Sequence, residues 1–412
     1  MPARSGAARR VSVFFLIGIV ATAASQLAIL FVARRLQPRT FGVFVLSSTV
    51  FSIILLVSDC GMQSLGVQQL SSRGMVDQLH RRYTRVSLRL ATIVSAASLV
   101  GFVLVTIWPG SDYSAIPLLA CAALPATFVG NMATKYRIRE RFASASAAAE
   151  AVGVMALGAL AGTILHASAV AASAGAVLAM FLLAALWWVL EPDERGDGAG
   201  LLLRGRTGAL AWEGRYFLAT ALCVALYSRG DRVVVAVIAG RFEAGLYGVA
   251  YSLIFGASLL SSAIQSVTLP RLVVDWRDHV QWRMHVLRLI GCLWLVGLLG
   301  AVILVAVSDR LILVLFGSSF SPAAHLVRIL SPLVPLYFVN VALGTCLMAC
   351  GRERVLARIT AVNLAVGLAL YPTLTFALGA PGAAAASVAV EAGGHLMLLW
   401  ALRPTFAAAC SR

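Results

Sequence analysis

The sequence predicts an all-α polytopic membrane protein of about twelve transmembrane helices, in two pseudo-symmetric six-helix bundles with a central cavity. Three observations lead there: an apolar balance unlike that of soluble domains, a ladder of membrane-length apolar runs, and a faint repeat between the halves. Of 412 residues, 60% are hydrophobic and only 12% are charged, against about 25% charged in a typical soluble domain. A water-facing surface cannot be made from that balance.

Apolar length places spans near 11–33, 42–66, 87–108, 115–134, 144–166, 168–190, 216–238, 245–267, 286–307, 323–349, 357–378 and 382–402. Each is of the order of 20 residues, enough to cross about 30 Å of hydrocarbon. Backbone amides unsatisfied in lipid force such segments to be helices. Arg4, Arg9 and Arg10 precede an apolar stretch from Val11 to Val32, which exceeds the roughly 7 to 15 residues of a signal-peptide core and reads as an uncleaved first span. The Arg9-Arg10 pair therefore reads as positive-inside anchoring rather than as a twin-arginine export signal.

The net charge of +16 does not indicate nucleic acid. The arginines sit in short loops between apolar runs and form no single basic face with interleaved aromatics. About 25 of the 33 basic residues fall at the termini and in the alternate loops Arg73 to Arg89, Lys135 to Arg141, Arg195 to Arg215, Arg271 to Arg288 and Arg352 to Arg358. The opposite loops carry Arg34, Arg35, Arg39, Arg241 and Arg310. The asymmetry orients both termini to the cytoplasm. Trp108, Trp187, Trp188, Trp212, Trp282 and Trp400 lie near span ends, where an amphipathic ring anchors at the headgroups.

The polar run from Glu191 to Arg215 separates an N-terminal bundle, 1–190, from a C-terminal bundle, 216–412, with 191–215 as cytoplasmic linker. Ala33-Arg34-Arg35-Leu36-Gln37 through Phe41-Gly42-Val43 aligns without gaps on Ala239-Gly240-Arg241-Phe242-Glu243 through Tyr247-Gly248-Val249. Halves that differ by an even number of spans keep one orientation, as in alternating-access carriers, which places a substrate cavity at the interface of the halves. Gly158 and Gly162, and the alanine-rich segment from Gly382 to Ala389, allow close helix approach, read as packing within the molecule.

Charges inside spans are costly, at least about 2.5 to 3.5 kcal/mol each on insertion scales. Tyr227-Ser228-Arg229-Gly230-Asp231-Arg232 puts three of them in the seventh span. Arg229 and Arg232 are three apart and share a helix face, with Asp231 offset. Two readings stay open: a cavity-lining cationic face that attracts an anionic group, or Asp231 pairing with the arginines to hold helices together. Arg328 either presents charge from the external side or extends to the interface. Asp59, Glu150 and Glu391 are the other acids nearest membrane depth, and Asp59 and Glu391 are candidates for binding a coupling proton or sodium ion. Gln265 and Asn340 suit hydrogen bonds to sugar hydroxyls or to another helix.

The six histidines join neither an H-x-x-x-H pattern nor a carboxylate cluster, and the seven cysteines form no C-x-x-C pair and read as small packing residues. No metal site or cofactor is expected. No nucleophile elbow, phosphate-cradling loop or nucleotide fingerprint appears, so the sequence does not read as an enzyme.

Ser228-Arg229-Gly230-Asp231-Arg232, Gly245-Leu246-Tyr247-Gly248-Val249-Ala250, Gln265 and Leu269-Pro270 resemble the seventh and eighth spans of Wzx-type polysaccharide and O-antigen flippases. These belong to the multidrug/oligosaccharidyl-lipid/polysaccharide exporter superfamily. Ala33-Arg34, Phe41-Gly42, Asp59-Cys60-Gly61-Met62, Phe316-Gly317, Arg328-Ile329-Leu330 and Gly382-Ala383-Ala384 extend the likeness over nearly the whole chain.

The resemblance implies a flippase of undecaprenyl-pyrophosphate-linked oligosaccharide in the bacterial inner membrane, with no nucleotide hydrolysis of its own. It implies membrane lipids, a polysaccharide polymerase and glycosyltransferases as partners. On that view Arg229 and Arg232 meet the pyrophosphate or acidic sugars, Asp231 orients them, and Arg328 is a secondary contact. A lipid II flippase is expected to carry two further C-terminal spans. A cation-coupled drug exporter of the same superfamily often places an acid in its first span, where Val11 to Ala33 has none. A non-transporting scaffold for polysaccharide assembly is the reading from a different class.

Overall fold

A computed structural model describes residues 23–59, 76–107, 113–138, 151–190, 222–223, 225–254, 256, 279–350 and 352–408. Every regular element among them is helical, and the chain is an all-α polytopic membrane protein. It divides into two compact units, Met1–Leu222 and Cys223–Arg412.

In the first unit the order is α1 (23–35), α2 (Pro38–Asp59), α3 (Val76–Ile107), α4 (Ala115–Ala120), α5 (Ala123–Ile138), α6 (Ala151–Leu165) and α7 (Ala169–Leu190). In the second it is α8 (225–234, ending in a wide turn Val235–Ala239), α9 (241–254), α10 (His279–Phe316), α11 (Ala323–Leu330), α12 (Leu333–Ala349), α13 (Glu353–Leu378) and α14 (Ala380–Ala408). Counting α4–α5 and α11–α12 as broken single segments, each unit carries six helical segments in the same order among the described residues. Phe41 and Val43 of α2 and their repeat partners Tyr247 and Val249 of α9 are all buried, so the repeated residues fill equivalent positions within their own units.

Eight described helices are long and apolar enough to cross a membrane, among them Pro38–Ser58, Thr84–Ile107, Gln281–Phe316 and Arg354–Leu378. Their polarity is inverted relative to a water-soluble fold. Leu295 and Phe376 are 70% and 84% exposed, whereas Asp231, Asn131 and Glu391 are buried. Lipid accounts for that inversion, since apolar side chains facing hydrocarbon cost nothing and polar ones must find partners inside. Ser47, Thr49 and Ser52 of α2 follow the same rule, each donating to the carbonyl four residues earlier at 2.7–2.8 Å. In the core of the first unit, Asn131 donates to Ser87 at 2.9 Å and ties α5 to α3.

Proline explains both broken segments. Pro125 has no N–H for the Cys121 carbonyl, and Ser95 of α3 donates to that oxygen at 3.3 Å while accepting from the Leu124 N–H at 3.0 Å. In the second unit Pro332 cannot satisfy the Arg328 carbonyl, and the Ser331 hydroxyl does so at 2.8 Å. The corner between α8 and α9 is made by Gly240, at φ 94°, whose N–H reaches back five residues to Val235.

Small residues bring the backbones of α6 and α7 together. A methyl group at Gly162 would lie 2.0 Å from the Ala171 carbonyl oxygen, and one at Gly175 would lie 2.1 Å from that of Gly158. Gly158 and Gly162 thus serve α6–α7 contact within one unit. Of the tryptophans, Trp282 is fully buried and is not an interface anchor. Trp187 and Trp188 pack on Tyr136 and Phe128, Trp400 is exposed, and Trp108 and Trp212 lie outside the described residues. Cysteine burial is mixed: Cys346 is buried, whereas Cys292 is exposed and does not serve as core packing.

Candidate functional site

In the second unit a network of buried polar side chains surrounds α8. Glycine at 230 and five tyrosines from four helices frame the charged stretch. Asp231 is buried, and its carboxylate accepts from the Tyr247 hydroxyl at 2.6 Å, the Ser387 hydroxyl at 3.2 Å and the backbone N–H of Arg232 at 2.8 Å. Tyr247 and Ser387 are themselves 3.1 Å apart. Three donors from α8, α9 and α14 therefore satisfy this carboxylate without either guanidinium, so Asp231 holds its helices through hydroxyls and not through an ion pair with an arginine.

The Arg232 guanidinium instead lies over the ring of Tyr251, 3.9 Å from its centroid. That contact offsets part of the cost of its charge, yet the buried Nε finds no hydrogen-bond partner among the described residues. The Tyr251 hydroxyl bonds that of Tyr337 at 2.8 Å and the Ser228 carbonyl at 3.3 Å. One turn earlier Arg229 is half-buried and makes no hydrogen bond or ion pair among the described residues. Among the described residues, two guanidinium groups on one helix face thus retain donor capacity, one wholly and one in part.

A second buried carboxylate belongs to the same framework. Glu391 of α14 accepts from the Tyr227 hydroxyl of α8 and from the Asn340 amide of α12 at 2.8 Å. The other end of that amide bonds His395 Nδ1 at 2.9 Å, and the His395 ring meets Trp294 of α10 edge-on at 5.4 Å. The Tyr371 hydroxyl reaches the Tyr227 carbonyl at 3.3 Å. Glu391 and His395 are four apart on one helix, and each bonds the Asn340 amide, which links them.

The remaining sequence candidates fall elsewhere. Arg328 of α11 pairs with Asp309 and donates to Ser308 at 3.1 Å. This exposed pair lies apart from the α8 framework. Asp59 is the last residue of α2, in the first unit. Gln265 and Glu150 lie outside the described residues. Tyr247, Tyr251, Tyr337, Tyr371 and Ser387 were not singled out as site residues, because only the folded chain brings their hydroxyls to α8. No group of three His, Cys, Asp or Glu side chains that could hold a metal ion occurs among the described residues.

Comparison with known proteins gives the fold a family. The chain is similar to a solved structure described as lipid II flippase MurJ in an inward closed conformation, with a TM-score of 0.73 at 12% identity over 94% of this chain and 87% of that one. It is also similar to an inward-facing multidrug resistance MATE family transporter of the MOP superfamily, with a TM-score of 0.67 at 15% identity over 98% of this chain and 99% of that one. At such identities the likeness is one of fold. No curated protein matches in sequence. The model of the family described as polysaccharide biosynthesis protein matches residues 31–325, most of the chain, and the chain belongs to that family.

Proposed function

We propose that this protein is a flippase that translocates an undecaprenyl-pyrophosphate-linked oligosaccharide across the membrane by alternating access, for surface polysaccharide biosynthesis. The observation that carries this reading is the incompletely partnered pair Arg229 and Arg232 in a membrane chain of a polysaccharide biosynthesis family. Guanidinium groups with open donors suit a phosphate, which accepts charge-assisted and often bidentate hydrogen bonds. Asp231 positions the helix that presents them. The Asn340 amide is committed at both ends, to Glu391 and His395, and so serves that carboxylate rather than a sugar.

The reading places the protein in a bacterial inner membrane with both termini cytoplasmic, working beside a polymerase and glycosyltransferases, as a transporter that makes and breaks no covalent bond. A charge-assisted hydrogen bond contributes about 1.5–3 kcal/mol, so replacing both Arg229 and Arg232 with Gln is expected to lower flipping at least about tenfold. The assay is labelling of the glycan by a membrane-impermeant reagent. Full activity of the double variant in the presence of normal protein levels would remove the arginines from substrate binding. The buried acids Asp231 and Glu391 also suit a cation-coupled exporter of organic cations, the second reading. In that case loss of the protein raises sensitivity to cationic compounds and leaves lipid-linked oligosaccharide unchanged.

A further inference from the structure

The Glu391 cluster has no task in the flippase reading, yet both of its carboxylate oxygens are hydrogen-bonded. When ionised, a carboxylate only accepts hydrogen bonds. Both oxygens of Glu391 do so, one from the Tyr227 hydroxyl and the other from the Asn340 amide. Because Asn340 donates toward Glu391, its carbonyl oxygen accepts from His395 Nδ1–H. The donors all run toward the carboxylate.

A proton arriving on Glu391 has one oxygen that can receive it without breaking the framework. On the Asn340 side the facing group is an N–H, which can only donate. On the Tyr227 side the facing group is a hydroxyl, which donates or accepts. Protonation there reverses the bond, so that the carboxylic acid donates to the Tyr227 oxygen and the Tyr227 hydrogen turns away. Tyr227 stands two residues before Arg229 on α8. Among the described residues, the groups facing Glu391 besides Tyr227 and Asn340 are the buried or half-buried phenols of Tyr251, Tyr337 and Tyr371, and His395 on its own helix.

Arg229 and Arg232 equal Asp231 and Glu391 in number when both acids are ionised, and exceed them by one positive charge when Glu391 is neutral, with Tyr227 linking Glu391 to the helix that carries the arginines. An anion is then bound more tightly when the proton is in place, and by reciprocity the anion tightens the proton.

We propose that Glu391, held by Tyr227 and Asn340, is a proton-binding site whose occupancy controls the affinity of the Arg229–Arg232 face for an anionic head group. The coupling to an anion rests on the flippase reading, whereas the proton site does not. Two measurements on the full chain in lipid nanodiscs separate them. In the first, infrared difference spectra are recorded through a pH titration. A protonated-carboxyl band that is absent in Glu391→Gln and retained in Glu353→Gln supports the site. If no band depends on Glu391, or if it responds to sodium chloride at constant pH and not to pH, the proposal is overturned.

The second measurement is proton uptake on binding of undecaprenyl pyrophosphate, read by calorimetry in buffers of different ionisation heat. About one proton taken up by the wild type and none by Glu391→Gln is the expected result. Binding with equal uptake in the two proteins overturns the coupling. A Glu391-dependent carboxyl band with no binding of undecaprenyl pyrophosphate supports the proton site and counts against the flippase reading alone. Tyr227→Phe removes the reversible hydroxyl and is expected to shift the carboxyl titration, a change that a purely packing role for Tyr227 would not produce.

Discussion

Asp231 and Glu391 differ in how their neighbours respond to a change of charge, although both are buried carboxylates in one unit. Asp231 receives two hydroxyls and a backbone N–H, and removing one hydroxyl leaves a buried acceptor short of a donor. Such a loss costs about 1–3 kcal/mol. Tyr247→Phe is therefore expected to lower the melting temperature of the purified protein, measured by tryptophan fluorescence. An unchanged melting temperature would mean that the Tyr247 hydroxyl does not hold Asp231. The charges of this site were legible in the sequence because three of them within four residues of a span demand compensation. Their partners were not: Tyr227 meets Glu391 across 164 positions and Ser387 meets Asp231 across 156. Hydroxyl-bearing tyrosines in an apolar run read equally well as packing residues, so nothing local distinguished Tyr247 or Tyr251.

At the scale of elements, span positions were legible because bilayer thickness and the need to satisfy every backbone amide leave a long apolar run one structure. The breaks inside spans were harder to see, since a proline near a helix start is tolerated and only the surroundings decide whether the freed carbonyl is served. Ser95 serves two backbone groups at the α4–α5 break, and Ser95→Ala is expected to destabilise by about 1–3 kcal/mol through those two unpaired groups. Equal thermal stability of Ser95→Ala and wild type would show that the break does not depend on this hydroxyl. Helix contact gives a sharper case. Gly162→Val would drive a side chain into the Ala171 carbonyl, whereas Gly291 meets nothing within 4 Å of an added Cβ. Overpacking typically costs about 1–3 kcal/mol, so Gly162→Val is expected to lose folded yield on size-exclusion chromatography while Gly291→Ala does not. Equal yields would mean that α6 and α7 are not held at the spacing observed.

For the whole molecule, the repeat in sequence foretold a repeat of element order, and the two units each carry it. Phe41-Gly42-Val43 and Tyr247-Gly248-Val249 place buried residues in corresponding helices of the two units. The distribution of arginines makes a topological prediction. In a cysteine-free background, Cys introduced at Arg39 and at Arg310 is expected to react with an impermeant maleimide added outside intact cells, and Cys introduced at Arg195 is expected not to. Reaction of all three or the reverse pattern contradicts the orientation drawn from positive charge.

Transport of a lipid-linked glycan is tested most directly by depleting the protein in its own cell and following undecaprenyl-linked oligosaccharide with a membrane-impermeant label. The account predicts that the intermediate accumulates and stays inaccessible to the label, that wild-type protein restores labelling, and that the Arg229→Gln, Arg232→Gln double variant does not. Unchanged amount and labelling of the intermediate, with unchanged surface glycan, would contradict the flippase and leave only the fold and the family.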